Sequence, residues 1–184
     1  MVEKKGTSIK ALFAGFGGQG ILFAGKAMTY AGMLQGKEVS WLPSYGPEMR
    51  GGTANCSVCI DESPIGSPLV TAPNVFVAMN RPSYLKYIDS VCSGGVVLLD
   101  SFLIQEKVER TDIVAYYVPA TDLASKNNLS GLANMILFGK LLHAVKFADY
   151  NTVIAGLKKM VPSKKANLFD ANVKAIQIGM NYAD

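Results

Sequence analysis

The chain has 184 residues, 49% hydrophobic and only 17% charged, with a formal net charge of +4. That length fits one domain, residues 1–184, with enough interior for a sizeable core. Basic residues do not interleave with aromatics, no run of 18 apolar residues occurs, and Met1–Gly6 carries no apolar segment. These features exclude a nucleic-acid footprint, a membrane span and a signal peptide, so the chain reads as cytoplasmic. Cys56, Cys59 and Cys92 are odd in number and are expected as free thiols. Charge this sparse suits either a well-buried sheet or a surface partly covered by a partner.

Ile9–Phe13 reads as a buried strand, and Ala14–Gly20 follows as Ala-Gly-Phe-Gly-Gly-Gln-Gly. Gly15, Gly17 and Gly20 fill a GxGxxG template. Gly18–Leu34 continues as an amphipathic helix, closed near Gly32 and Gly36. Strand, glycine turn and helix start together offer close backbone approach and unpaired N–H groups to an anion. The same pattern also describes a tight turn with no ligand. Lys37–Leu42 is a second short strand. Glu38 lies near the distance at which a dinucleotide fold places its ribose-binding acid, but at the start of this strand. Ser40, Trp41 and Leu42 fill the end, which argues against an ordinary NAD site.

Pro43–Gly52 reads Pro-Ser-Tyr-Gly-Pro-Glu-Met-Arg-Gly-Gly and falls at the same sheet edge as the glycine turn. Ser44 and Tyr45 offer hydroxyls, Glu48 a carboxylate and Arg50 a planar fork for an anion, although Glu48 and Arg50 also suit an exposed loop pair. Thr53–Ile60 alternates, with Ala54, Cys56, Val58 and Ile60 on one face. Asp61–Pro64 then turns the chain and Ile65–Val70 is expected to return as a partner strand, a hairpin insertion. Strand spacing puts Cys56 and Cys59 on opposite faces, and no second pair completes a metal site.

Asn74–Met79 is a strand, followed by Asn80-Arg81-Pro82 and a short helix over Ser83–Ser90. Val96–Leu99 is a central strand ended by Asp100-Ser101, and Ile113–Val118 is the next. Asp100 suits a turn cap more often than a ligand contact. Thr121–Gly131 reads as a connection and Leu132–Lys146 as a long apolar helix, with Asn134 placed to cap, bind or meet a partner. His143, the sole histidine, joins no nucleophilic set. Asn151–Met160 and Ser163–Asp184 are further helices, the last with an apolar face at Leu168, Ala171, Ala175 and Ile178. The sum is an α/β fold: three layers, α/β/α, with a mostly parallel Rossmann-like sheet and a β-hairpin insertion.

Gly15-Phe16-Gly17-Gly18-Gln19-Gly20 and Ser44-Tyr45-Gly46-Pro47-Glu48-Met49-Arg50-Gly51-Gly52, in this order and spacing, resemble the gamma subunit, or gamma domain, of the 2-oxoacid:ferredoxin (flavodoxin) oxidoreductases. Asp100-Ser101 and Asn134–Gly139 support the resemblance, which covers nearly the whole chain. It implies a subunit of an enzyme that oxidatively decarboxylates a 2-oxoacid with thiamine diphosphate, passes two electrons through iron–sulfur clusters and forms an acyl-CoA. Alpha, beta and ferredoxin-like delta subunits are the implied partners and carry the thiamine diphosphate and the clusters. Three cysteines are too few for a cluster held by four thiolates. No catalytic residue or metal ligand is assigned to this chain, and isolated it is expected to be inactive and open to self-association as a homodimer. Two roles stay open for the loops at Gly15, Gly17, Gly18, Gln19, Gly20, Ser44, Tyr45, Glu48 and Arg50: binding the phosphates of coenzyme A, and docking onto the thiamine-bearing subunits, which is favoured and can coexist with the first. Among 2-oxoacids, 2-oxoglutarate is favoured over 2-oxoisovalerate and pyruvate. The alternatives are an independent nucleotide-binding oxidoreductase and a non-catalytic assembly module.

Overall fold

The structure, a computed structural model, describes residues 8–44, 54–162, 164 and 166–183. Its strands are β1 (Ile9–Gly15), β2 (Glu38–Ser44), β3 (Ala54–Asp61), β4 (Val75–Ala78), β5 (Val96–Asp100) and β6 (Val114–Val118). Its helices are α1 (Ile21–Leu34), α2 (Arg81–Tyr87, continued by a 3-10 turn, Ile88–Ser90), α3 (Ala120–Lys126), α4 (Ala133–Val145), α5 (Tyr150–Met160) and α6 (Ala166–Asn181). β1 shows why the centre is a sheet: only Lys10 of its seven residues is exposed, so both faces must be covered.

The six strands lie in the order β2-β3-β1-β4-β5-β6. β1, β4, β5 and β6 pair in parallel, while β3 runs antiparallel to both β1 and β2. Five strands therefore share one direction and β3 alone is reversed. The hairpin insertion is real, but it is β2–β3, with Ser44 opposite Asn55 and Glu38 opposite Asp61. Ile65–Val70 does not return as a strand. Both edges of β3 are already taken, so that segment crosses the sheet face instead, where Val70 N donates to Ser57 Oγ at 3.2 Å and Cys59 Sγ to Ser67 O at 3.8 Å. Pro43 falls inside β2, tolerable because β2 is an edge strand and a missing N–H there breaks no central ladder.

One face of the sheet is covered by α1, α3, α4, α5 and α6 around Phe13, Met28, Phe138 and Leu141. The other is covered by α2 and the segment leading to β6, around Leu12, Phe76, Leu99 and Ile104. The three layers follow. The region read as a bare connection, Thr121–Gly131, contains α3. Its start is held by the Asp100 carboxylate, which accepts from Thr121 N at 3.1 Å, a cap supplied from a strand 21 residues away and so absent from the local pattern.

The last helix buries a different stripe from the one its apolar residues suggest. Asn172, Ala175, Ile176 and Gly179 face inward, whereas Leu168 is 41% exposed. Small residues decide this. A Cβ on Gly139 of α4 would stand 2.0 Å from Ile176 O, and one on Gly179 would stand 1.8 Å from Ile136 O. The two helices cross backbone against backbone, and the obstructing atoms belong to helix ladders that cannot rotate away. Gly179→Val should therefore lower the unfolding free energy by about 3 kcal/mol or more. An unchanged urea midpoint would refute the crossing.

Candidate functional site

The glycine turn leaves the carboxyl end of β1 and is closed from beneath by one side chain. Gln19 Oε1 accepts from Phe16 N at 2.6 Å, and Gln19 Nε2 donates to Met79 O at 2.8 Å, just beyond β4. Gln19 thus staples the turn to the neighbouring strand end, and its amide serves the protein's own backbone. Gly15 must lack a Cβ because one would meet Gln19 Oε1 at 2.7 Å. Gly18 and Gly20 have φ of 90° and 74°, the left-handed region that favours glycine. Gly17 and Gly18 are exposed at the crest.

A second helix start meets the first here. Asn134, on the first turn of α4, donates through Nδ2 to Gly20 O at 2.9 Å, and Gly20 is the cap of α1. Neither helix has an acidic residue in its first turn, and neither N-cap residue offers a side-chain hydrogen bond to its helix. A cleft of about 290 Å³ opens between them, lined by Gly18 and Gln19 on one side, Ser130 and Gly131 on another, and Thr121 and Ser125 of α3. Two helix N-termini, each the positive end of a macrodipole, border this cleft, and the hydroxyls of Ser125 and Ser130 line it. Thr121, Ser125, Ser130 and Gly131 were not singled out from the sequence. The one available signal was a Ser-Gly pair just ahead of an apolar helix.

Asp100 stands behind this wall. It is fully buried, and its carboxylate accepts from Thr121 Oγ1 at 2.5 Å, Thr121 N at 3.1 Å and Phe102 N at 3.2 Å. It caps a turn and a helix. Burial pushes its pKa above the ordinary carboxylate range, and the hydrogen bonds from Thr121 and Phe102 oppose that rise. A raised folded pKa means that the folded state holds the proton more tightly than the unfolded one. Its stabilising contribution is therefore complete below the unfolded pKa and is lost as pH rises through the folded one. Relative to Asp100→Asn, wild-type stability should fall between about pH 4 and neutrality. Paired urea melts check this, and a difference that is flat or grows with pH would contradict it.

Ser44 ends β2, exposed, with β3 lying between it and the turn: Gly15 pairs with Ala54 and Ser44 with Asn55. Two strand spacings put it about 10 Å away, at the same edge but outside the cleft. Tyr45, Glu48 and Arg50 lie outside the described residues, and Ser44 and Ala54, which flank their segment, both stand at the carboxyl edge of β1. Within β2 the one acid, Glu38, sits at the end away from the glycine turn, facing Asp61.

The thiols do not converge. Cys56 faces α1, where a Cβ on Gly25 would lie 2.5 Å from its Sγ, whereas Cys59 faces Ser67 across the sheet. Burial pushes the Cys56 thiol up to about 12. Among the described residues no group of three or more His, Cys, Asp or Glu side chains could hold a metal, and His143 is exposed on α4. The donor set of an iron–sulfur cluster does not fit these residues.

Fold and cleft together define an α/β chain with a cleft at the carboxyl edge of its sheet. Residues 10–182 match the pyruvate ferredoxin/flavodoxin oxidoreductase family, and the chain belongs to that family. It is 34% identical over 176 residues to ketoisovalerate oxidoreductase subunit VorA of Methanothermobacter thermautotrophicus, covering 95% of this chain and 36% of VorA. The chain thus spans about a third of that relative's length. It is 36% identical over 152 residues to 2-oxoglutarate synthase subunit KorC of Methanocaldococcus jannaschii, covering 81% of each. The solved structure of the keto/oxoacid ferredoxin oxidoreductase gamma subunit from Geobacter sulfurreducens superposes with a TM-score of 0.80 at 25% identity, covering 93% of this chain and 95% of that one.

Proposed function

We propose that this chain is the gamma component of a 2-oxoacid:ferredoxin oxidoreductase and that its cleft receives the phosphates of coenzyme A. The carrying observation is the convergence of two helix N-termini, free of acids and side-chain caps, on one cleft beside a glycine turn. Coenzyme A brings several phosphate charges, and the N-terminal partial charges of α1 and α4 complement them. Gly15, Gly17, Gly18, Gln19 and Gly20 build the turn. Ser125 and Ser130 supply hydroxyl donors, while the Thr121 hydroxyl already donates to Asp100. Ser44, Tyr45, Glu48 and Arg50 belong to a segment that begins and ends at the same edge, from which Arg50 supplies a fixed cationic fork.

In this reading the alpha, beta and ferredoxin-like delta subunits hold the thiamine diphosphate and the clusters, which supply decarboxylation and electron transfer. This chain holds and orients the acyl acceptor. The likeness to KorC supports 2-oxoglutarate as the substrate and that to VorA supports 2-oxoisovalerate; we place 2-oxoglutarate first. The test is anaerobic reconstitution with the partner subunits, followed by viologen reduction with a panel of 2-oxoacids. Turnover should depend on coenzyme A. Ser130→Asp, an exposed position on the cleft, should raise the KM for coenzyme A about tenfold by charge repulsion and leave that for the 2-oxoacid unchanged. Absence of coenzyme A-dependent turnover with every 2-oxoacid would overturn the proposal.

A second role is favoured by the same edge. Phe16 after β1 is 41% exposed, and Phe102 and Leu103 after β5 are 53% and 39% exposed. An apolar rim of this kind suits docking onto the larger subunits. Phe102→Glu should reduce co-purification of the partner subunits severalfold without lowering the melting temperature. Equal recovery would remove Phe102 from the interface.

A further inference from the structure

We infer that Asn134 is a positioning residue that fixes the spacing of the two helix N-termini and so the ligand affinity of the cleft; this rests on the coenzyme A reading above. Two positive dipole ends set side by side repel, and neither α1 nor α4 carries a first-turn acid to offset this. A tie is therefore required, and Asn134 supplies it. Its Nδ2 donates to Gly20 O at 2.9 Å, joining residues 114 apart in the chain. Gly20 O also accepts the first helical bond of α1, from Ala24 N at 3.1 Å, so the tie acts on the atom from which the helix begins.

The fit is mutual. A Cβ on Gly20 would fall 2.5 Å from Asn134 Nδ2, so glycine is demanded there by the amide as well as by its φ of 74°. The tie also has a cost that a purely structural contact would avoid. Asn134 is only 4% exposed, and its Oδ1 is buried without a hydrogen-bond partner. Leucine, with the same branched four-atom side chain though bulkier, would leave no orphaned acceptor here. An amide kept against that cost directly after Ala133, which lines the cleft, marks a position held for the site rather than for the core.

The test uses Asn134→Leu, with Asn134→Ala as the second variant should the first fail to fold. Amide hydrogen exchange of the full chain is measured across residues 17–23, and the KM for coenzyme A and kcat are measured in the reconstituted complex. Expected for Asn134→Leu are exchange about tenfold faster at 17–23 with β4 and α5 unchanged, a melting temperature equal to or above wild type, and a KM raised about tenfold, well beyond any fall in kcat. Unchanged exchange overturns the inference whatever the KM does, and faster exchange with an unchanged KM overturns it too, leaving only a structural tie. A wild-type complex that shows no coenzyme A dependence would instead sink the functional reading, while the exchange result still decides whether Asn134 holds the turn.

Discussion

The backbone contact between α4 and α6 sets the depth of everything on the main helical face. Gly139 and Gly179 remove the two Cβ atoms that would keep the axes apart, and α4 then sinks until nine successive residues, Asn134–Leu142, are buried. A helix covered on every side cannot shift to accommodate a ligand. It packs against α6, α3, β5 and α1, and its first turn arrives at the cap of α1 as a consequence. Even its lysine obeys this geometry. Lys140 is 3% exposed, and its Nζ reaches Tyr182 O at 3.0 Å beside the ring of Tyr116. That places a cation beyond the carbonyl end of α6, where a helix dipole favours one.

Much of this was legible in order along the chain. β1, β4, β5 and β6 are short apolar runs bounded by glycine or polar residues, and the glycine turn announces its own conformation at Gly18 and Gly20. What escaped has a common physical cause: it depends on atoms distant in sequence. α3 is capped by Asp100 from another strand. β3 alternates as any strand does, and nothing local says that both its edges are taken. In α6 the buried stripe is chosen by glycine and asparagine, which a count of apolar residues passes over. The cleft combines the turn after β1 with hydroxyls more than a hundred residues later, so only half of it was visible. Gln19 was read among the ligand-binding residues, and its internal staple to Met79 O was not visible in the sequence.

Among the described residues the chain keeps its reactive side chains apart. Its thiols are separated, and Cys56 stays protonated at neutral pH. Its single histidine is remote from the glycine turn in sequence and exposed on α4. What the fold does supply is fixed polarity, in the form of backbone N–H groups at two helix starts whose orientation costs no reorganisation when an anion arrives.

The staple through Gln19 has a consequence for synthesis. Its acceptor, Met79 O, lies 60 residues downstream, and the glycine turn receives a further tie from Met79 N to Ala14 O at 2.9 Å. While the nascent chain beyond residue 34 is still inside the ribosome, α1 can form locally, but β1 has no partner strand and the turn between them has nothing to close against. The turn sets only after β4 has emerged and paired with β1, so a ribosome stalled before residue 79 would display the glycines without the binding shape they later adopt.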